Sequence, residues 1–181
     1  TASNNLAIGA SALKSNTTGT PNIGIGYGAG QLITTGTNNL LIGRLSGQLI
    51  TTGTFNNAIG DLSMGNSSSS VNNSTAQGAN SLYNVTGNNN AAFGHYGGAN
   101  INSGTNNVAI GNQSMGVFVN TTWVNGTGGN NSATGYQSLY VNSSGANNTA
   151  IGNQSLYSNS TGYSNVAIGS KAAYSLGTQI V

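Results

Sequence analysis

The chain carries almost no charge. Three of its 181 residues are Lys or Arg, one is acidic (Asp61), and 2% are charged, against roughly 25% in soluble domains. The pI near 9 therefore reflects scarce charge rather than a basic surface, and it does not indicate a nucleic-acid partner. Because glycoside hydrolysis usually needs two carboxylates, a lone Asp61 also argues against that activity, and we predict no enzyme.

Cysteine is absent and histidine occurs once, which excludes a disulfide framework and thiolate metal ligands. Three symmetry-related copies of His95 could bind a metal. The equivalent positions elsewhere in the chain hold Ala, Tyr, Arg, Asp and Asn, and such variety indicates an exposed residue, so we expect no metal site and no cofactor. No apolar run approaches the ~18 residues that span a membrane, so we expect no membrane insertion.

What the chain has is a repeat, the pentapeptide Asn-x-Ala-Ile-Gly, typified by residues 107–111. We call the glycine that ends each copy the closing glycine. Its ten occurrences are Gly9, Gly26, Gly43, Gly60, Gly78, Gly94, Gly111, Gly135, Gly152 and Gly169. Their spacings are 17, 17, 17, 18, 16, 17, 24, 17 and 17. A fixed period of this kind is typical of stacked repeat architectures.

Each repeat predicts two short strands and two turns. The pentapeptide alternates with period two between Asn and Gly, which indicates a strand with the Ile and Val/Leu columns on one face and Ala on the other. We assign the Ile face to the core and the Ala face to the outside. A second unit such as Ser138-Leu139-Tyr140 follows, and a Thr/Ser-Gly turn, rich in residues that tolerate positive φ, closes the repeat. The Tyr column at 83, 140, 157 and 174 predicts a structural ladder.

The predicted fold is all-β, a parallel β-solenoid of about ten 17-residue coils, in which Ile stacks on Ile and Asn on Asn. At ~4.8 Å per coil, ten coils give a rod roughly 45–50 Å long. A strip of small and apolar residues along its outside would be an aggregation hazard in a monomer, so we expect sister chains in a closed ring to cover it.

The pentapeptide, followed two residues later by Ser or Ala, resembles the head repeats of YadA-type trimeric autotransporter adhesins. The stretch Gly-Ala-Gly-Gln-Leu-Ile-Thr-Thr-Gly-Thr-Asn-Asn at 28–39 is similar to repeats of bacteriophage tail fibres. The resemblance covers the chain except 116–126. It implies a left-handed β-roll, a homotrimer and an adhesive role at a virion or cell surface. The 17-residue period and the scarcity of charge depart from the adhesin pattern and favour a viral fibre.

The one break in the period is an insertion at 116–126, where eleven residues replace the usual four. Insertions in solenoids map to surface loops, often on the binding face. This one holds the only Trp of the chain, and an exposed aromatic beside Asn and Thr suits a sugar ring. The receptor-contact candidates are Phe118, Thr121, Thr122, Trp123 and Asn125. The alternative is that Phe118 and Trp123 fold back to cover the coil or a neighbouring chain.

We therefore expect residues 1–181 to form one β-solenoid domain, with the 116–126 loop inserted, as a segment of a longer fibre. The expected function is structural and adhesive, in a virion tail fibre or on a cell surface, with a host glycan or protein as receptor. Two alternatives remain open. One is an ice-binding solenoid, because Thr or Ser fills the position eight before every closing glycine. The other is a purely structural extracellular filament.

Overall fold

The structure, a computed structural model, describes residues 3–99, 101–116, 118–119, 122–123 and 126–175. These residues form strands, turns and bends, with no helix among them. The strands are β1 (Leu6–Ile8), β2 (Asn22–Ile25), β3 (Asn39–Ile42), β4 (Asn57–Ile59), β5 (Thr75–Gln77), β6 (Ala91–Phe93), β7 (Val108–Ile110), β8 (Phe118–Val119), β9 (Thr122–Trp123), β10 (Ser132–Thr134), β11 (Thr149–Ile151) and β12 (Val166–Ile168).

The prediction of a parallel β-solenoid is confirmed. One sheet of ten parallel strands runs along the molecule in the order β1 to β7, then β10, β11 and β12. Every strand lies opposite the equivalent residues one coil away, so that Ala109 faces Ala92 on one side and Ala133 on the other. Equivalent positions of the repeat therefore stack on one another along the whole sheet, as predicted.

The insertion does not interrupt this sheet. Strand β7 pairs directly with β10 in the regular register, although 24 residues separate their closing glycines. The strands β8 and β9 form a separate two-stranded antiparallel ladder. The extra residues are therefore carried beside the rod, as expected for an insertion in a solenoid.

The prediction of which strand face points inward is wrong. The Ala column lies inside: Ala58, Ala109 and Ala133 are fully buried. The Ile and Val/Leu columns lie outside, where Ile110 keeps 40% and Val166 72% of its surface exposed. Ala is therefore the core residue of each strand, and the large aliphatic side chains form an external surface.

The reason is the narrow interior. Large side chains enter it from the opposite side of the coil, from positions four or seven residues after the closing glycine. The buried members of this set are Leu13, Ile33, Ile50, Met64, Leu82, Val85, Ile101, Met115, Leu139 and Leu156. Because these already fill the space, the strand that faces them has room only for a methyl group.

The one large residue in the Ala column shows how tight this constraint is. Leu41 is fully buried, and glycine occupies the opposing positions, at Gly30 and Gly47. A Cβ added at Gly30 would lie 2.7 Å from Leu41 Cδ1, and one at Gly47 would lie 2.7 Å from Leu41 Cδ2. Volume added on one side of the coil is thus removed on the other, as close packing requires.

The predicted second strand is also wrong, because the segment after the closing glycine is a series of turns. Every second residue of this segment has a left-handed backbone conformation, as at Gln137 (φ 52°) and Leu139 (φ 49°). Backbone hydrogen bonds between coils still continue here, as from Leu139 N–H to the Ser155 carbonyl at 3.0 Å. The closing glycine is required by crowding: at Gly43, with φ of 131°, a Cβ would meet the Gly60 carbonyl oxygen at 2.3 Å.

A ladder of buried Asn side chains, four residues before each closing glycine, joins the coils. The Asn131 Oδ1 accepts hydrogen bonds from the backbone N–H of Asn148 at 3.0 Å and from its amide at 3.1 Å. The Asn131 amide donates to Asn107 Oδ1 at 3.1 Å and to the Gly145 carbonyl at 2.8 Å. Ser74 is the only departure in the column, and its Oγ accepts from Asn90 N–H at 3.3 Å.

We predict that Asn131→Ala lowers the free energy of unfolding by about 1–3 kcal/mol for each buried group left unsatisfied. Asn131→Ser should cost less, because the Ser74 hydroxyl already replaces an Asn in this ladder. Urea denaturation at one fixed protein concentration measures both. Asn153→Ala, at an exposed position, is the control and should change the free energy little. Equal losses for Asn131→Ala and Asn153→Ala would contradict a stabilising ladder.

We also predict that Leu41→Ala and Gly47→Leu are each destabilising, the first by a cavity and the second by overpacking. The double variant should be more stable than the two separate losses imply, because the side chain added at 47 would occupy part of the volume that Leu41 vacates. The left-handed backbone at Gly47 does not forbid this, since Leu139 has a similar φ. Leu41→Ala combined with the distant Leu156→Ala should be additive in the same denaturation assay. Additivity in both pairs would show that the two sides of the coil do not compete for volume.

Candidate functional site

The predicted contact loop is present as a hairpin. Phe118 and Trp123 are cross-strand partners, and Thr122 lies opposite Val119. Thr121 and Asn125 lie outside the described residues, so their part in the loop stays a prediction. The hairpin brings the backbones of the two aromatic candidates together at one place beside the rod.

The hairpin leaves the rod next to a stack of tyrosines, which confirms the predicted ladder for three of its members. The rings of Tyr140 and Tyr157 are 5.1 Å apart, and those of Tyr157 and Tyr174 are 4.8 Å apart and nearly parallel. Gly116 holds the equivalent position on the coil before Tyr140. The insertion therefore begins where the tyrosine stack ends.

Tyr140 is the most buried of the three tyrosines, although only one of them stacks on it. It is 7% exposed, whereas Tyr157, which has a tyrosine on each side, is only half-buried. The remaining ring surface of Tyr140 must be covered by other parts of the chain, on the side where Gly116 leaves room.

The tyrosine stack is an uncharged surface. Burial raises the pKa of the Tyr157 phenol above its ordinary value, and the neighbouring phenols of Tyr140, Tyr174 and Tyr136 raise it further because a second phenolate would be repelled. The Tyr157 hydroxyl therefore stays protonated at neutral pH. It can act as a hydrogen-bond donor and acceptor beside the insertion.

The second candidate surface runs the length of the rod and follows from the reversed strand orientation. We define the strip as the outward-facing residues three and one before each closing glycine. Its large apolar members are Leu6, Ile8, Ile23, Ile25, Leu40, Ile42, Ile59, Phe93, Val108, Ile110, Ile151, Val166 and Ile168. None of the strip positions is charged. A contiguous apolar surface of this kind marks an interaction site or an aggregation hazard.

Two of the four charged residues form an ion pair next to the strip. Arg44 and Asp61, each directly after a closing glycine, face one another on adjacent coils. Arg44 Nε lies 2.8 Å from Asp61 Oδ1, and its Nη2 donates to Asp61 Oδ2 at 2.9 Å. The single carboxylate is thus already engaged by an arginine. In the part of the chain that the structure describes, no three His, Cys, Asp or Glu residues come together to hold a metal ion.

Two further features offer little chemistry. His95 is exposed, as expected from its column, and its ring lies 4.2 Å from that of Tyr96. An open depression of about 220 Å³ on the strip is lined by Pro21, Ile23, Asn38, Asn39 and Leu40. Ile23, Leu40 and Pro21 in that lining suit apolar contact.

The Thr/Ser column considered for ice binding is exposed in every described coil, at 18, 35, 52, 70, 86, 103, 127, 144 and 161. It does not lie on the flat sheet. Its residues lie between the strands, most of them in bends, where the backbone curves around an acceptor on the next coil. For example, the N–H groups of Thr34, Thr35 and Gly36 all donate to the Thr51 carbonyl. The regular flat face of the rod is the strip instead.

Comparison of the chain with protein families, with curated proteins and with solved structures finds no match. The geometry of the hairpin and the strip is therefore the basis for a functional proposal. Within the described residues there is no helix long and apolar enough to cross a membrane.

The sequence located the insertion but not its hairpin, and the strip was missed because the Ile column was assigned to the inside. A signal was present in the sequence. Leu41, the only large residue of the Ala column, occurs where the positions four after two successive closing glycines, Gly30 and Gly47, are glycine rather than Leu or Met. Such compensation is expected only between residues that share a core.

Proposed function

We propose that this chain is a non-enzymatic structural and adhesive segment of a homotrimeric fibre, in a virion tail fibre or on a cell surface. One observation carries the proposal: the strip exposes large apolar side chains, without charge, in eight of the ten coils of the rod. Sister chains that lie side by side would bury it. The trimer number and the left-handed coil come from the resemblance to adhesin and tail-fibre repeats.

The absence of an acid pair supports a non-enzymatic role, since Asp61 is held by Arg44. A fibre is also better supported than an ice-binding solenoid, because the flat face of the rod carries Ile and Val and the Thr/Ser column follows bends. A purely structural filament would share the strip but would make no use of the hairpin. The hairpin beside the tyrosine stack is therefore the proposed contact site for a host glycan or protein.

The intact chain should sediment with about three times the 18.0 kDa mass of one chain. Lysines at Ile42 and Ile110 should abolish this assembly, because each would bury unpaired charge between chains. Lysines at the exposed Thr35 and Thr161, away from the strip, form the matched control and should leave the mass unchanged. An intact chain that remains monomeric at micromolar concentration would refute the trimer, as would a strip variant that still assembles.

The contact site is tested by replacing Phe118 and Trp123 together with Ala. Binding partners are first identified with the labelled intact chain on a glycan array and a panel of bacterial and animal cells. The double variant should then bind at least about tenfold more weakly, since aromatic residues dominate binding hot spots. Tyr163→Ala, at an exposed aromatic elsewhere, should bind normally. Unchanged binding by a folded double variant would remove the hairpin assignment.

A further inference from the structure

The strip is apolar over most of its length but contains two polar coils. In the coil of β5, its two outward residues are Thr75 and Gln77. In the coil of β10 they are Ser132 and Thr134. We call these two positions the polar rungs. In every other described coil, the residue directly before the closing glycine is Ile or Phe.

We propose that the polar rungs fix the partner and register of the strip: it is covered by further copies of this chain, parallel and with no offset between coils. This inference rests on the proposed homotrimer and specifies how its chains align. Without the polar rungs, one chain could shift along its neighbour by whole coils, because each coil presents nearly the same apolar surface as the next.

The zero-offset arrangement places each polar rung against itself. Gln77 is exposed, and no hydrogen bond within the described chain engages its amide. An amide is both donor and acceptor, so three Gln77 side chains around an axis can each donate to the next. The chain already uses this pairing along the rod, where the Gln137 amide donates to Gln113 Oε1 at 2.9 Å.

A stagger of one coil would instead bring Gln77 against Ile59 or Phe93. Its amide would then be buried without a partner, and such burial is unfavourable. A single buried polar residue fixes register and oligomeric state in coiled coils by the same principle. The two rungs lie three coils apart. A stagger of three coils would place the β5 rung of one chain against the β10 rung of its neighbour. The other rung of each chain would then have no matching rung opposite it.

Antiparallel arrangements fit less well. If the ends of two rods coincide, the β5 rung faces β6 and the β10 rung faces β3, which presents Leu40 and Ile42. If the rods slide until β5 faces β10, the first two coils have no partner, and Leu6, Ile8 and Ile23 stay exposed. The parallel arrangement without offset is the one that matches both rungs and covers all ten coils.

The first test is cross-linking in a chain that has no native cysteine. Tagged and untagged single variants Ile59→Cys, Ile110→Cys and Ile151→Cys are refolded as mixtures and treated with a bis-maleimide shorter than the three-coil rise of about 14 Å. Only cross-links between identical positions are expected. Cross-links from Ile59→Cys to Ile110→Cys or Ile151→Cys would reveal a staggered or antiparallel assembly and overturn the proposal. A trimer without cross-links would also overturn it, whereas a monomer would refute the trimer itself.

The second test moves a rung by one coil without changing composition, in the variant Gln77→Ile with Ile59→Gln. Refolded with the wild-type chain labelled with ¹⁵N, so that the two chains differ in mass, and examined by native mass spectrometry, it should form mixed trimers several-fold below the statistical yield. The reason is that the Gln of one chain, at 59 or 77, then meets Ile in the other. Circular dichroism should show that the variant folds alone. The control, Thr35→Lys, should mix statistically. Statistical mixing of the moved-rung chain would show that the rungs do not set the register.

Discussion

Each coil must present the next coil with the same backbone, because the hydrogen bonds that hold the rod together join equivalent residues one coil apart. This constraint covers the turns as well as the strand. It explains why residues such as Gln137 and Leu139 adopt left-handed backbone that is uncommon outside glycine. The cost of each such residue is offset by a bond to the neighbouring coil, and the stacked columns of Asn, Ser and Tyr follow from the same repetition.

The repeated backbone also fixes the width of the interior, and the width decides the chemistry of the two strand faces. With Leu, Met and Ile entering from the turns, the strand can contribute only Ala, and its larger residues must face outward. The exposed apolar strip is therefore a direct result of the packing in the core. A single packing constraint connects the Ala column, the glycines opposite Leu41 and the exposed Ile column.

The period, the parallel stacking and the position of the insertion could be read from the sequence, because each depends only on the spacing of Gly and Asn. The orientation of the strand could not be read from hydrophobicity alone. Ile is the more apolar residue, but Ala109 is inside and Ile110 outside because volume limits the core. Similarly, Ser138-Leu139-Tyr140 has the alternating polarity of a strand but forms a turn. The turn depends on positive φ at Leu139, a residue type that does not indicate this conformation in a sequence. The contacts of Trp123 depend on a segment that has no counterpart in the other coils, so repetition carried no information about them.

Because β7 pairs directly with β10, the hydrogen bonds that join these two strands do not involve the insertion between them. The three residue pairs that join these strands lie at 108–110 and 132–134, and none of them belongs to the insertion. Residues 117–125 can therefore change in length and composition without altering any of those pairs. The insertion could therefore vary between related chains that keep the same rod, and an engineered peptide could be carried at the same point.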